Sequence, residues 1–388
     1  MPPIPADAAS DLLARLVAID SVNPGLVPGA AGEAAIVTFL RNRLEAASFA
    51  TLVVTPDEHS DRPSLLAWYR GSRPGPTLLL NGHVDTVGVE GMPARFEPKV
   101  EGDRLYGRGA ADMKGGVAGL VLAAEEIARE DCGSVVLALV ADEENASLGM
   151  EAVIACLPET GLRPDVAVVG EPTHLDRTVS LRGYAVVDVE FAGRSAHSSL
   201  PAEGVNAVTH LGRLLGAVEE ADAALHGRGV WLSTVVSGGS APFMVPARAR
   251  ATIERRTVPG ETVENAVGEV EQMLQRLRDD DPTVSATARL VVGRAAWQLE
   301  ESGPAHDFAG LLDSALGGAP GRREEPFAAP YWMEAPLLQA AGIPAVVCGP
   351  SGGGMHAVDE WVDLRQVRAY PRALVTAFRA FAAAGHAD

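Results

Sequence analysis

Cysteine and long apolar runs are what this sequence has least of. Cys132, Cys156 and Cys348 are its three cysteines, spread over 388 residues. An odd, sparse set without CxxC spacing argues against a disulfide framework or a thiolate zinc site, and three buried thiols are expected instead. No uninterrupted apolar stretch approaches the length of a membrane span, so no membrane partner is expected. The opening Met1-Pro2-Pro3-Ile4-Pro5-Ala6-Asp7 lacks the basic and apolar regions of a signal peptide, which points to a cytoplasmic protein. Positive charge is also scarce. Lys and Arg number 32 against 51 Asp and Glu, a net charge of −19, so phosphates would be repelled and nucleic acid is not an expected partner. Internal repeats and low-complexity segments are lacking too.

What is present is a substantial apolar fraction, 47%, in a chain too long for one comfortable core. Residues 7–20 read as a helix that Asp7 can cap, and 33–47 as a second helix. Runs at 52–54, 64–69, 77–81, 134–141, 165–169 and 343–348 read as strands. Several of these are apolar at every position and alternate with helices, which indicates a doubly wound, mostly parallel α/β sheet covered on both faces. Between residues 180 and 292 the pattern changes to β-α-β-β-α-β, with strands at 183–191, 230–236, 248–256 and 284–291 and helices at 205–218 and 263–278. That is the ferredoxin-like α+β order. The expected organisation is a catalytic domain from 1–179 and 293–388, interrupted by an inserted domain over 180–292. Helices near 306–316, 335–341 and 364–384 complete the first domain.

In parallel sheets, ligands bind beyond the carboxyl ends of the strands. Four buried strands here run into acidic or imidazole residues at that edge. Thr77-Leu78-Leu79-Leu80-Asn81 leads to Gly82-His83-Val84-Asp85, and 134–141 leads to Asp142-Glu143-Glu144. The strand at 165–169 leads to Gly170-Glu171-Pro172-Thr173, and 343–348 reaches His356 through a glycine loop. Asp112 stands in Gly107-Arg108-Gly109-Ala110-Ala111-Asp112-Met113-Lys114-Gly115-Gly116. As a dinucleotide fingerprint that segment fails, because Asp112 occupies the third glycine's place. By itself Asp112 reads equally as a cap or as a ligand.

Taken together, His83, Asp85, Asp112, Glu143, Glu144, Glu171 and His356 offer two imidazoles and several carboxylates without thiolates. That set suits zinc, cobalt or manganese better than calcium. Two such ions about 4 Å apart need one bridging carboxylate and one or two further ligands each. Such a site polarises a carbonyl and makes water nucleophilic near neutral pH, while a leftover carboxylate moves the proton to a leaving amine. Amide hydrolysis needs these parts and no organic cofactor.

Six segments in order, those named above together with Ala196-His197-Ser198-Ser199 and Gly349-Pro350 through His356-Ala357-Val358-Asp359-Glu360, resemble the family of acetylornithine deacetylase, succinyl-diaminopimelate desuccinylase, aminoacylase and carboxypeptidase G, which are di-zinc hydrolases. The resemblance implies that His83 and Glu171 hold one ion, Glu144 and His356 the other, and Asp112 bridges them. It implies Glu143 as general base and acid, Asp85 as the group orienting His83, and a cis peptide at Asp112-Met113. The inserted domain resembles that family's lid, which implies a homodimer in which His197 reaches the neighbour's site to stabilise an oxyanion. Two divalent ions per chain, zinc foremost with cobalt or manganese as alternatives, are the implied cofactors. The implied substrate is an N-acyl amino acid of the acetylornithine type or, alternatively, a dipeptide, a carboxypeptidase substrate or a succinylated amine.

One departure is Phe243, in Ala241-Pro242-Phe243-Met244-Val245-Pro246, where the family often has a substrate-binding Asn; Phe makes no such hydrogen bond, so a substrate carboxylate is expected to be held differently, with a more apolar contact at Phe243. Arg256 matches the family's carboxylate-binding Arg, and its planar fork suits that partner. Gly352 and Gly353 are expected to turn their amides toward a substrate carboxylate. Gly349-Pro350-Ser351-Gly352-Gly353 also matches the GxSxG elbow of a serine esterase using Ser351, although the only histidine after His356 is His386. A further rival is a metal-binding homologue without catalysis, which fold alone does not exclude. His174, near Glu171, reads as a loop residue, and the other histidines receive no role.

Overall fold

The computed structural model describes residues 4, 5, 7–93 and 95–385, so His386 falls outside the described residues. The chain forms two compact units. The first lies within Met1–Val179, Leu299–Ala328 and Met333–Asp388, and the second is Ser180–Gln298 with Ala329–Trp332. The second unit therefore runs past residue 292 and takes in a short later segment. The reason is local: Trp332 meets Tyr184 edge-on at 6.0 Å between ring centroids, and its indole donates to the Ala295 carbonyl at 3.2 Å.

The first unit is built on a six-stranded sheet in the order Ala50–Val54, Ser64–Tyr69, Ser134–Val140, Thr77–His83, Val166–Val169, Ala345–Val347. The last four run parallel. The first two are antiparallel, since a hairpin returns Ala50–Val54 into Ser64–Tyr69. The strands at Thr77–His83, Ser134–Val140 and Val166–Val169 are buried at every position, as expected of a sheet covered on both faces. Helices Ala8–Val17, Gly115–Glu130, Pro304–Ala315 and Leu364–Ala383 pack together on one side, and Ala34–Ala46, Leu148–Cys156 and Ala335–Ala340 pack against the other.

The second unit is a four-stranded antiparallel sheet in the order Val230–Gly238, Arg248–Thr257, Gly183–Ala192, Ser285–Arg294. Helices Ala207–Leu225 and Val263–Asp280 cover one face. Val187, Val189, Phe191, Leu211, Leu214, Ile253, Val270 and Leu274 make the apolar core between sheet and helices. The chain order β-α-β-β-α-β is the one read from the sequence.

Some local expectations fail. Asp7 precedes the first helix in αR conformation, without a side-chain cap bond. Between His83 and Asp112 lie two short strands that the sequence does not announce, Lys99–Glu101 and Arg104–Tyr106, in a small sheet with Trp361–Asp363 and Gly352–Gly353. Three-residue strands, with Leu105 their one fully buried residue, are too short to show a period. The three cysteines are free, but only Cys348 is fully buried. Burial pushes its thiol up to about 12. Among the described residues no helix is long and apolar enough to cross a membrane.

The helix Gly115–Glu130 approaches the sheet closely, which matters because it follows Asp112 directly. At Gly116 a Cβ would lie 2.0 Å from the Gly170 carbonyl oxygen, one residue before Glu171. Only glycine lets helix and strand end meet at this distance. Gly116→Ala should therefore destabilise the protein by about 3 kcal/mol, the upper part of the range for overpacking. Urea unfolding would measure this, and a loss below about 1 kcal/mol would show that the contact is soft.

Candidate metal centre

His83 sits at the end of its strand, fully buried. Its Nδ1 is 3.1 Å from the backbone carbonyl of Asp85 and 3.5 Å from the Asp85 carboxylate. The carbonyl, rather than the carboxylate assigned from the sequence, is thus the nearer partner. With a proton on Nδ1 donated to that carbonyl, Nε2 keeps its lone pair. That lone pair faces carboxylate oxygens: Asp112 Oδ1 at 3.0 Å, Glu171 Oε1 at 3.7 Å and Glu143 Oε2 at 3.9 Å. On the opposite side of Asp112, Oδ2 lies 3.2 Å from His356 Nε2, which is also 3.1 Å from Glu144 Oε2.

Asp112 thus stands between two imidazoles, one for each oxygen. Its segment, Ala110–Lys114, is an irregular helical turn in which Asp112 and Met113 leave helical geometry, and the Asp112–Met113 peptide is cis. Asp112 is therefore no helix cap: its side chain is turned to the imidazoles.

The charges are strongly perturbed. Burial pushes the carboxyls of Glu143 and Glu171 well above the usual range, and neighbouring carboxylates add to this. Burial likewise raises Asp112, but hydrogen bonds from His356 and His83 outweigh it and hold Asp112 below its usual value. His83 is raised against the effect of burial by Glu171 and Asp112. His356 is raised to about 10 by Asp112 and Glu144. Among the described residues no lysine or arginine pairs with Asp112, Glu143, Glu144 or Glu171. Acceptors gathered this tightly need cations between them, either protons or metal ions. Two groups have the right spacing. His83, Asp112 and Glu171 offer ligand atoms all within 4.8 Å of one another, and so do Asp112, Glu144 and His356. Nitrogen and oxygen donors sharing one carboxylate fit a pair of divalent ions.

The sequence profile of peptidase family M20/M25/M40 matches residues 79–380. The chain belongs to this family. It is 30% identical to the succinyl-diaminopimelate desuccinylase of Paracoccus denitrificans over 96% of this chain and 97% of that enzyme. It is 29% identical to the acetylornithine deacetylase of Myxococcus xanthus over 86% and 88% of the two chains. Among solved structures, a tripeptidase of Staphylococcus aureus superposes with a TM-score of 0.80 at 18% identity, covering 98% of this chain and 99% of that one. A dinuclear metal-binding M20 peptidase of Bacillus subtilis gives 0.75 at 13% identity, covering 97% and 98%. At these identities the structures speak for the fold. This M20 protein is a metal-dependent hydrolase of amide or peptide bonds, as its family is.

Several residues around the M20 site escaped sequence reasoning. Asn23 donates from Nδ2 to Asp85 Oδ2 at 2.7 Å and to Asp142 Oδ1 at 3.1 Å. Asp142 also accepts from Arg62 at 2.8 Å, and Arg62 forms a buried ion pair with Glu33. Glu334 lies buried at the start of helix Ala335–Ala340, accepts from Asn81 at 3.0 Å, and adds its charge to Glu143 and Glu171. Only Asp142, adjoining Glu143, lay in a segment the sequence had singled out.

The remaining expected residues fall elsewhere. Ser351 Oγ accepts the backbone N–H of His174 at 2.6 Å. No imidazole bonds it among the described residues, so the serine-esterase reading is dropped. His174 Nε2 is bonded by Arg323 at 2.9 Å. A Cβ on Gly352 would meet the Trp361 carbonyl at 1.7 Å, and one on Gly353 the Trp361 indole nitrogen at 2.8 Å, so packing alone requires glycine at both. His197, Phe243 and Arg256 belong to the second unit.

In metal-stripped protein the imidazoles should set a pH dependence. Folded His356 keeps its proton to about 10, against about 6.5 in an unfolded chain. The stability it contributes is complete below about 6.5 and is lost as pH rises through about 10, since the folded state binds more protons in that window. The side chain is 53% exposed, so solvent moderates the effect. Chelator-treated protein should show a melting temperature that falls across this window, and adding two equivalents of zinc should flatten the curve. A flat profile in stripped protein would show that the Asp112–His356–Glu144 pairing does not hold.

Proposed function

We propose that this chain is a two-metal hydrolase that cleaves the amide of an N-acyl amino acid, with Glu143 as general base and acid. The observation that carries this reading is the division of labour at Asp112. Its oxygens serve two separate donor groups, and Glu143 stands beside them without belonging to either. In this reading His83 and Glu171 hold one ion, Glu144 and His356 the other, and Asp112 both. Bound divalent ions, zinc foremost, supply carbonyl polarisation and water that is nucleophilic near neutral pH. The chain's own residues do the rest. Glu143, buried among other carboxylates, is raised toward the range in which a base can both take and return a proton. It receives the proton of the attacking water and passes it to the leaving amine. Asp85 holds the backbone that carries this base, accepting the N–H groups of Glu143 and Glu144 at 3.2 Å each.

An N-acylated, amine-bearing acid is favoured as substrate by the names of the two relatives, one a desuccinylase and the other a deacetylase. Acetylated amino acids remain the first choice, with succinylated ones and dipeptides to be compared. The second unit would supply substrate contacts and a homodimer surface. Its His197 is exposed, bonded through Nδ1 to Ser199 Oγ at 2.7 Å, and bridged to Met244. Phe243 beside it is 74% exposed, and Leu200 and Met244 are exposed as well. An imidazole in an apolar collar suits a surface that closes on another molecule. Arg256 stacks over Tyr184 at 5.3 Å and bonds Glu254 through Nε. Its terminal nitrogens have no partner among the described residues and form the fork a carboxylate takes.

Bound metal is counted by mass spectrometry, and hydrolysis of a panel of N-acyl amino acids and dipeptides is followed before and after chelation. About two ions per chain with chelation-sensitive hydrolysis is the expected result. Metal without hydrolysis of any member would favour a non-catalytic binding protein. Glu143→Gln should lower kcat by about 10²–10⁴ while leaving metal content unchanged; near wild-type turnover would remove Glu143 as the base. Arg256→Ala should raise KM about tenfold or more, the loss of a charge-assisted pair, with a smaller effect on kcat. An unchanged KM would take Arg256 out of the substrate site.

A further inference from the structure

The two donor groups share Asp112, yet the other ligands of the second group come from distant parts of the chain. His356 is 244 positions from Asp112. Something must fix the register between these segments to a fraction of an ångström, and the candidate is buried just beneath them. Glu360 is 1% exposed and Arg108 3%. The Glu360 carboxylate accepts on Oε2 from Arg108 at 2.7 Å and from the Gly109 N–H at 3.0 Å. On Oε1 it accepts from the N–H groups of Ala111 at 2.9 Å and Asp112 at 3.2 Å. Its own backbone carbonyl accepts from the Gly107 N–H at 3.1 Å. Arg108 in turn donates to the His356 carbonyl at 3.4 Å and to the Gly88 carbonyl at 3.0 Å.

This is a closed clamp. One carboxylate satisfies three consecutive-segment amides that no regular helix would satisfy, and the guanidinium ties the same carboxylate to the residue carrying the second imidazole. Gly109 lies at φ +77°, where Lys114 and Thr86 also leave no room for a Cβ, so the segment has little freedom once the clamp is made. We infer that Glu360, with Arg108, is a positioning residue that sets Asp112 Oδ2 against His356, so that the second donor group is ready-made for its ion. Glu360 touches neither substrate nor ligand atoms; it acts through the backbone of the Asp112 segment. Ligand placement of this kind governs metal affinity as strongly as many ligands do. The inference rests on the two-ion reading.

Metal-stripped wild-type and Glu360→Gln enzymes are titrated with zinc by calorimetry, and bound metal is counted by mass spectrometry. The amide keeps the shape of the side chain but turns an N–H₂ group toward donors. His356→Ala, which removes one ligand of the second group, marks the titration step that belongs to that group. In Glu360→Gln the same step should weaken by about 10–100-fold, and the other, which shares Asp112 but not the tie to His356, should weaken clearly less. Turnover should fall with the lost ion, and KM should stay within about twofold. A wild-type titration curve in the variant overturns the inference. So does equal weakening of both steps, which is what general destabilisation would produce. If Glu360→Gln does not fold, Arg108→Gln is read by the same criteria, because it leaves the three amide bonds to Glu360 in place. Wild-type protein that binds no metal overturns the two-ion reading itself, which keeps the two failures distinct.

Discussion

The site depends on one shared carboxylate. Among the described residues, Asp112 alone turns one oxygen to each imidazole, at 3.0 and 3.2 Å. Around it, Glu143, Glu144 and Glu171 bring like charges into a region largely withdrawn from water, where repulsion is screened far less than at a surface. Such a cluster is tolerable only if cations, protons or metal ions, stand among the oxygens. Everything else nearby serves either to hold that charge together or to aim it. The sheet does the aiming: parallel strands end at one edge, so four separate segments deliver their side chains to one place without any of them having to fold back.

Within that frame the backbone near Asp112 needs unusual support. The segment leaves helical geometry at Asp112 and Met113 and enters the helix Gly115–Glu130 immediately afterwards. Gly116 then lets that helix press against the end of the strand that carries Glu171. The placement of Asp112 and the placement of Glu171 are therefore linked through a single close contact. This explains why the glycine pair after Asp112 stands where helix propensity alone would disfavour it.

How far the sequence reveals all this follows from the range of each interaction. Fully apolar runs such as Ser134–Val140 announce buried parallel strands, because the signal lies in consecutive residues. The residues at their ends are then legible as a set, even though Asp112 alone is ambiguous between cap and ligand. The ferredoxin-like order of the second unit is legible for the same reason. Glu334, Arg62 and Glu33 are not, since their roles exist only through contacts with segments distant in sequence and no local pattern marks them. Asp7 shows the opposite error: the right residue type in front of a helix, but in αR conformation and without a side-chain bond to the free amides. The short strands at Lys99–Glu101 and Arg104–Tyr106 belong to a sheet in which Arg104–Tyr106 pairs with Trp361–Asp363, a partner that a local reading does not contain.

Two buried carboxylates outside the donor groups solve the same problem for different segments of the site. Asp85 accepts the amides of Glu143 and Glu144, and Glu360 accepts those of Gly109, Ala111 and Asp112. Each fastens the backbone of an acidic segment rather than its side chain. The repulsion among the acidic side chains acts to spread these segments apart, and a hydrogen bond from a backbone amide to a charged oxygen is among the stronger restraints available in a buried place. Adding negative charge beneath an already negative site therefore makes physical sense where that charge is met, by the Arg108 guanidinium at Glu360 and by His83 and a hydrogen bond from Asn23 at Asp85. Carboxylates in the donor groups lack such partners and are left to cations. The division separates the carboxylates that fasten the backbone of the site from those whose spacing could hold metal ions.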